Sequence, residues 1–145
     1  MPASPRSPFA YTILRVVPHV ERGECINAGI LLWCRTRRFL GARVYVDEAR
    51  LRALAPDCDP VAVRSQLEAI VRVARGDRSA GPIARLARPE RFHWLASPSS
   101  TMVQRSEMHT GLTDDPSATL DHLFATLVAT DRDGSPEAAR TGPGA

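Results

Sequence analysis

The segment 21–29, E-R-G-E-C-I-N-A-G, holds the densest group of residues that could do chemistry. Its carboxylates, guanidinium and carboxamide belong to Glu21, Arg22, Glu24 and Asn27. Carboxylate and amide oxygens can ligate a hard cation, and a carboxylate in a cleft can act as an acid or a base. The alternative is structural: the charged side chains decorate a solvated hairpin, and Asn27 satisfies backbone groups beside a bulge. Of the two interpretations, the structural one is favoured.

A second polar segment, residues 99–115, combines hydroxyls, a carboxamide and a histidine. Its candidate site residues are Gln104, His109 and Thr110. Histidine is a common general base, but the sequence places no recognisable nucleophile with His109. Asp114 and Asp115 are better explained as helix-capping residues than as neighbours of a bound phosphate. We therefore expect an enzyme site here only if this segment meets the turn 21–27 in space.

All 19 basic residues are arginine, and two groups of them lie close together in the chain: Arg35, Arg37, Arg38 and Arg43 around a predicted hairpin, and Arg85, Arg88 and Arg91 in a predicted loop. Such groups can bind nucleic-acid phosphates, and Phe92 or Trp94 could stack on an unpaired base. The alternative is that the hairpin arginines protect a sheet edge and that the missing lysine reflects a coding bias. The net charge is only +3 and no recognised nucleic-acid motif is present, so the alternative is favoured.

Metal and cofactor sites are not predicted. The three cysteines, Cys25, Cys34 and Cys58, lack C-x-x-C spacing, and the four histidines show no ligand spacing with one another or with the cysteines. Reduced thiols, and an N-terminus without the apolar core of a signal peptide, favour the cytoplasm. The longest apolar run, 28–34, is too short to cross a bilayer, so we expect no contact with a membrane. The sequence predicts no oligomeric state.

Hydrophobic periodicity predicts one α+β domain over 9–130, between a flexible N-terminus, 1–8, and a disordered tail, 131–145. Its antiparallel sheet comprises an N-terminal three-stranded meander, at 9–17, 24–34 and 39–46, and short C-terminal strands: 92–95, and a hairpin of 101–104 with 108–112. Two main helices, starting at Pro60 and Pro116 behind aspartate caps, pack on the sheet, and a short one spans 48–54. The all-apolar character of 28–34 makes the second strand the central one.

The string E-R-G-E-x-x-N-x-G at 21–29, with Y-T-I-L-R-V-V-P at 11–18 and H-T-G-L-T at 109–113, resembles the family called domain of unknown function 3037, over about residues 9–128. The family consists of uncharacterised bacterial proteins that are often encoded beside a HipA-like kinase. The resemblance implies that kinase as a protein partner and supplies no catalytic residues. We predict a non-enzymatic accessory or interaction protein, docking through a sheet edge or the rim at 21–27. The alternatives are an enzyme whose site joins the two polar segments, and an arginine-mediated nucleic-acid binder.

Overall fold

A computed structural model describes residues 5–99 and 101–129 of the chain. The strands are β1 (Ser7–Val16), β2 (Ile26–Cys34), β3 (Phe39–Val44), β4 (Val103–Arg105) and β5 (His109–Thr113). The helices are α1 (Glu48–Leu54), α2 (Pro60–Arg75), α3 (Arg88–Ala96) and α4 (Pro116–Leu127), and two short 3-10 turns, Arg78–Ala80 and Ile83–Arg85, join α2 to α3. The architecture confirms the predicted α+β class with an antiparallel sheet.

The sheet has the order β3-β2-β1, and both C-terminal strands pair with the free side of β1. β4 lies along the end of β1, where Arg15 pairs with Gln104, and β5 lies along its beginning, where Tyr11 pairs with His109. β2 is therefore the central strand of the meander, as predicted. Its residues Ile30 to Leu32 are completely buried because helices cover both faces of the sheet.

The two faces of β1 carry separate cores. Leu14 and Val16 point to the face that α2 and α3 cover, whereas Phe9 and Ile13 point to the face that α4 covers. This alternation is that of a regular strand, in which successive side chains point to opposite faces. The helices contribute stripes at helical spacing: Val63, Leu67, Ile70, Val71 and Ala74 from α2, and Leu120, Phe124 and Val128 from the region of α4.

Aspartate caps start three of the helices, including the two main ones for which the sequence predicts them. Asp47, Asp59 and Asp115 each accept a hydrogen bond from a backbone N–H of the first turn, and a proline follows the last two. At its other end α2 stops at Gly76, whose φ of 76° lies in the left-handed region that favours glycine.

Two predictions for the segment 92–112 are wrong. Residues 92–95 belong to α3 rather than to a strand, because Phe92 and Leu95 are three positions apart on one buried helical face. β4 and β5 do not form a hairpin with each other. Ser106 lies between them and fastens the chain to β1: its backbone N–H donates to the Ile13 carbonyl, and its hydroxyl accepts from the Ile13 N–H at 2.9 Å. The two strands therefore continue along β1, one after the other.

The ends of the predicted domain are only partly described. β1 begins at Ser7, two positions before the predicted start, and Arg37 donates to the Ser7 hydroxyl and to the Pro5 carbonyl. The predicted tail, 131–145, lies outside the described residues. Within the part of the chain that is described, no helix is both long and apolar enough to cross a bilayer.

Candidate functional site

The predicted site residues Glu21, Arg22 and Glu24 lie in the loop between β1 and β2, and all three are exposed. Arg22 donates to the Glu24 carboxylate at 2.5 Å. Both side chains are largely in water, where such a pair contributes little to stability. The geometry matches the solvated hairpin of the structural interpretation.

Asn27 lies on the face of α4 because of a bulge in β2. Leu14 pairs with Gly29 and Arg15 pairs with Asn27, so Ala28 is an extra residue in β2. An extra residue reverses the inward and outward alternation of the strand beyond it. As a result the Asn27 amide reaches the C-terminal turn of α4 and donates to the Leu127 carbonyl at 3.2 Å. The sequence predicts a bulge beside Asn27, and the extra residue Ala28 confirms it.

Asn27 and Gln104 flank Arg15 from the two neighbouring strands. Directly paired residues of adjacent strands point to one face, so the three side chains form a polar row beside the end of α4. The Arg15 Nε atom is buried without a hydrogen-bond partner among the described residues. The row unites one residue from each predicted polar segment.

His109 and Thr110 do not join this row. His109 stacks on Tyr11, with ring centroids 5.1 Å apart, on the same face as Arg15. Arg15 lies four positions after Tyr11 in β1, which corresponds to about 13 Å along a strand. Thr110 pairs with Ala10 and points to the opposite face. Of the seven predicted site residues, the structure therefore brings only Asn27 and Gln104 close to a shared neighbour.

A cavity of about 610 Å³ on the α2 and α3 face has a very different lining. We call it the arginine pocket, and its walls are Trp33, Arg35, Arg38, Arg75, Gly76, Ala87, Arg88, Pro89 and Arg91. Three parts of the chain meet there: the end of β2 with the turn to β3, the C-terminus of α2, and the N-terminus of α3. Five guanidinium groups line the pocket, and no carboxylate does.

The charges of these five arginines are not compensated by carboxylates of the described residues. None of the five arginines makes an ion pair within residues 5–99 and 101–129. Asp77 directly follows the pocket residue Gly76, but its carboxylate accepts from Ser79 and from Arg72, neither of which lines the pocket. These hydrogen bonds, that of Ser79 first, lower the pKa of Asp77 to about 2. The pocket is therefore a concentrated positive site.

Arg91 forms the buried part of the pocket. It is 9% exposed, and its two terminal nitrogens donate to the carbonyls of Leu86, at 2.7 Å, and of Ala74, at 3.4 Å. Its Nε atom is buried and has no partner among the described residues. Burial, followed by the charge of Arg88, lowers the pKa of Arg91, which means that its charge is poorly compensated by the protein itself.

The N-terminus of α3 adds to the positive potential. Its first residues, Ala87, Arg88 and Pro89, all line the pocket, and Ala87 has no side chain that could cap the helix. The backbone N–H groups at a helix N-terminus have no partner inside the helix and attract anions. The other two long helices start with an aspartate cap instead. Pro89 lacks an N–H and Glu90 places a carboxylate in the same turn, so the guanidinium groups contribute more than this helix end to holding an anion.

Most of the pocket arginines belong to the two groups that the sequence indicates, but the sequence does not predict that the two groups line one pocket. Arg35, Arg38, Arg88 and Arg91 belong to the two predicted groups, whereas Arg75 belongs to neither. Three predicted members lie elsewhere: Arg85 does not line the pocket, Arg37 binds Ser7, and Arg43 binds Asp121 at 2.7 Å and lies over the Phe124 ring. The signal that could have joined the groups is Pro89, which favours a helix start beside Arg88.

Metal ligands do not cluster in the described part of the chain: it contains no group of three His, Cys, Asp or Glu side chains that could hold an ion. Cys25, Cys34 and Cys58 are free thiols. Cys34 is buried, whereas Cys58 donates to the Met102 sulfur at 3.7 Å.

Comparison with known proteins gives a family and nothing closer. No curated protein and no solved structure matches the chain. A family model described as "Protein of unknown function (DUF3037)" matches residues 11–128, which include all four helices, β2 to β5 and the part of β1 from Tyr11 onwards. The match covers most of the sequence, and it includes residues 11–29 and 109–113, which carry the resemblance described above. The chain belongs to the DUF3037 family.

Proposed function

We propose that this chain is a non-enzymatic binding protein and that the arginine pocket holds a phosphate-bearing ligand. The observation that carries the proposal is the lining of the pocket: five arginines without a carboxylate. Guanidinium groups donate hydrogen bonds and carry charge, so they can hold an anion. The lining contains no hydroxyl, thiol, imidazole or carboxylate that could act as nucleophile or base, and this favours binding over catalysis at this place.

Phosphate fits the pocket better than a carboxylate does. A phosphomonoester carries a charge between about −1.5 and −2 at neutral pH and has three acceptor oxygens. A carboxylate carries one charge and two oxygens, which a single arginine already satisfies. Several unpaired arginines and an uncapped helix N-terminus match the larger number of acceptors on phosphate.

Thermal unfolding with sodium pyrophosphate tests this function. At matched ionic strength, pyrophosphate is expected to raise the Tm of the protein, because a ligand that binds only the folded state stabilises it. Arg88→Glu should abolish the increase. Arg52→Glu, at an exposed position of α1 outside the pocket, makes the same change in net charge and should keep it. An equal increase in both variants, or none in the unaltered protein, would contradict the proposal.

The kinase implied by the family resemblance is proposed as the protein partner, acting in the cytoplasm. The three free thiols support a reducing compartment. Co-expression of the two proteins followed by gel filtration tests the pairing: we expect one peak that contains both. Separate peaks, with neither protein changing the activity or stability of the other, would contradict this partner without affecting the arginine pocket.

An enzyme that uses the predicted polar residues ranks second. Its supporting observation is the row in which Asn27 and Gln104 flank Arg15. A screen with chromogenic ester, phosphate and amide substrates tests it. Turnover that Asn27→Ala or Gln104→Ala removes, and that Glu21→Ala leaves intact, would favour this function, whereas turnover that none of them alters would reject it.

A further inference from the structure

The arginine pocket has an aromatic wall as well as charged walls. Trp33, near the end of β2, lines the pocket and is half-buried. Its indole stacks on the ring of Phe92 from α3, with centroids 6.0 Å apart and planes inclined by 26°. Phe92 is buried, so the contact packs the indole against the core. An aromatic surface therefore adjoins five guanidinium groups.

The size and make-up of the pocket exceed what a bare anion needs. Its volume of about 610 Å³ lies within the range of small-molecule sites. Inorganic phosphate would contact a few donors and leave the indole unused. A ligand that uses both kinds of wall combines a phosphate with a flat, apolar surface, and a nucleobase joined to its phosphate by ribose is such a group.

We propose that the arginine pocket binds a nucleotide unit, with the base against the indole of Trp33 and the phosphate held by the arginines and the N-terminus of α3. The inference rests on the proposed function and adds the class of ligand. Arg91 supports the same arrangement through its charge, since it lines the pocket, is more than nine-tenths buried and makes no ion pair among the described residues. Arg35, Arg38, Arg75 and Arg88 are exposed at the rim, where they can reach a phosphate.

Fluorescence of Trp33 tests whether a base lies on the indole. The sequence contains two tryptophans, and Trp94 is 59% exposed and does not line the pocket. Trp94→Phe therefore leaves Trp33 as the only tryptophan signal. Adenosine monophosphate (AMP) should change this signal and bind about tenfold more tightly than ribose 5-phosphate, which has the same phosphate without the base.

Variants of Trp33 separate the base from the phosphate. By calorimetry, Trp33→Leu should lower the affinity for AMP to that for ribose 5-phosphate and leave the affinity for pyrophosphate within about twofold. Trp33→Phe should keep part of the preference for AMP. Should Trp33→Leu fail to fold, the fluorescence comparison in the Trp94→Phe protein decides alone.

The outcomes of these experiments distinguish the nucleotide proposal from the phosphate proposal on which it rests. Equal affinities for AMP and ribose 5-phosphate, with an unchanged Trp33 signal and with pyrophosphate still bound, would overturn the nucleotide and leave the phosphate site standing. If pyrophosphate also failed to bind, both the nucleotide and the phosphate site would be contradicted.

A further titration with an eight-residue oligodeoxyadenylate identifies the source of the nucleotide. Affinity more than about tenfold above that of AMP, falling steeply with salt, indicates a single strand. Affinity equal to that of AMP indicates a free nucleotide. Each result supports the nucleotide unit, and a failure of both probes to bind overturns it.

Discussion

The guanidinium of Arg91 lies against Gly76, where α2 ends. A Cβ atom added to Gly76 would stand 3.3 Å from both the Cζ and the Nη2 atoms of Arg91. Arg91 has little freedom to withdraw, because its terminal nitrogens donate to the Leu86 and Ala74 carbonyls. Gly76 thus ends the helix in a left-handed conformation and also leaves the space that the buried arginine occupies.

Replacing this glycine should damage both stability and binding. Gly76→Ala is expected to lower the free energy of unfolding by about 1–2 kcal/mol, because an L residue is strained at this φ. It should also weaken pyrophosphate binding, because the new methyl group displaces Arg91. The matched control is Gly23→Ala: Gly23 has φ 73°, and nothing lies within 4 Å of its added Cβ. Urea unfolding and calorimetry should show a similar loss of stability in Gly23→Ala with unchanged binding.

Arg38 is held in the pocket at a cost to stability. Arg38 has a φ of 53° and is the only non-glycine residue with a positive φ among the described residues. It is the last residue of the turn between β2 and β3. Arg38→Gly is expected to raise the free energy of unfolding by about 1 kcal/mol, through relief of the left-handed strain, and to weaken pyrophosphate binding. Arg38→Ala should weaken binding equally without the gain in stability. Unchanged binding in both variants would remove Arg38 from the site.

The elements could be predicted from the sequence wherever a local signal determines them. Asp59 with Pro60 starts α2 and Gly76 ends it, and each of these effects acts within a few residues. The positions of β4 and β5 could not be predicted, because they depend on Ser106 meeting Ile13, 93 positions away. The pocket depends on long-range geometry in the same way. In the sequence, Arg35 and Arg88 cannot be distinguished from other exposed arginines, and only the fold brings the end of β2 and the start of α3 together.

Ser106 is expected to be the residue that keeps β4 and β5 in line. Ser106→Ala leaves the buried Ile13 N–H without its side-chain acceptor and removes a contact with the Thr12 hydroxyl at 3.2 Å. An unpaired buried donor costs about 1–3 kcal/mol, so the urea midpoint should fall accordingly. Ser65→Ala, at an exposed position of α2, removes the same atom and should change stability little. Equal midpoints for the two variants would show that the hydroxyl is dispensable.

The stability of the folded protein is expected to depend on pH in the acid range because of Asp77. The carboxyl has its pKa lowered from the ordinary 3.8 to about 2 in the folded protein, by hydrogen bonds from Ser79 and then from Arg72. Since the folded pKa lies below the unfolded one, the stabilisation is complete above about pH 4 and is lost as the pH falls towards 2. Asp77→Asn should flatten the Tm curve over this interval, and Asp114→Asn, at an exposed position, should not. A curve unchanged by Asp77→Asn would show that this carboxylate contributes nothing to acid sensitivity.

The bulge in β2 should tolerate no side chain at Gly29. An added Cβ there would stand 2.8 Å from the Arg43 carbonyl oxygen and 2.9 Å from the Val44 Cγ1 atom, so β2 and β3 would have to separate. Gly29→Ala is expected to cost about 3 kcal/mol, at the upper end for overpacking. Gly41→Ala makes an equally short contact, 2.9 Å, but with the end of the Phe39 ring, which can rotate away. Its loss in urea unfolding should be less than half as large, and equal losses would show that backbone contact at the bulge is not what excludes a side chain.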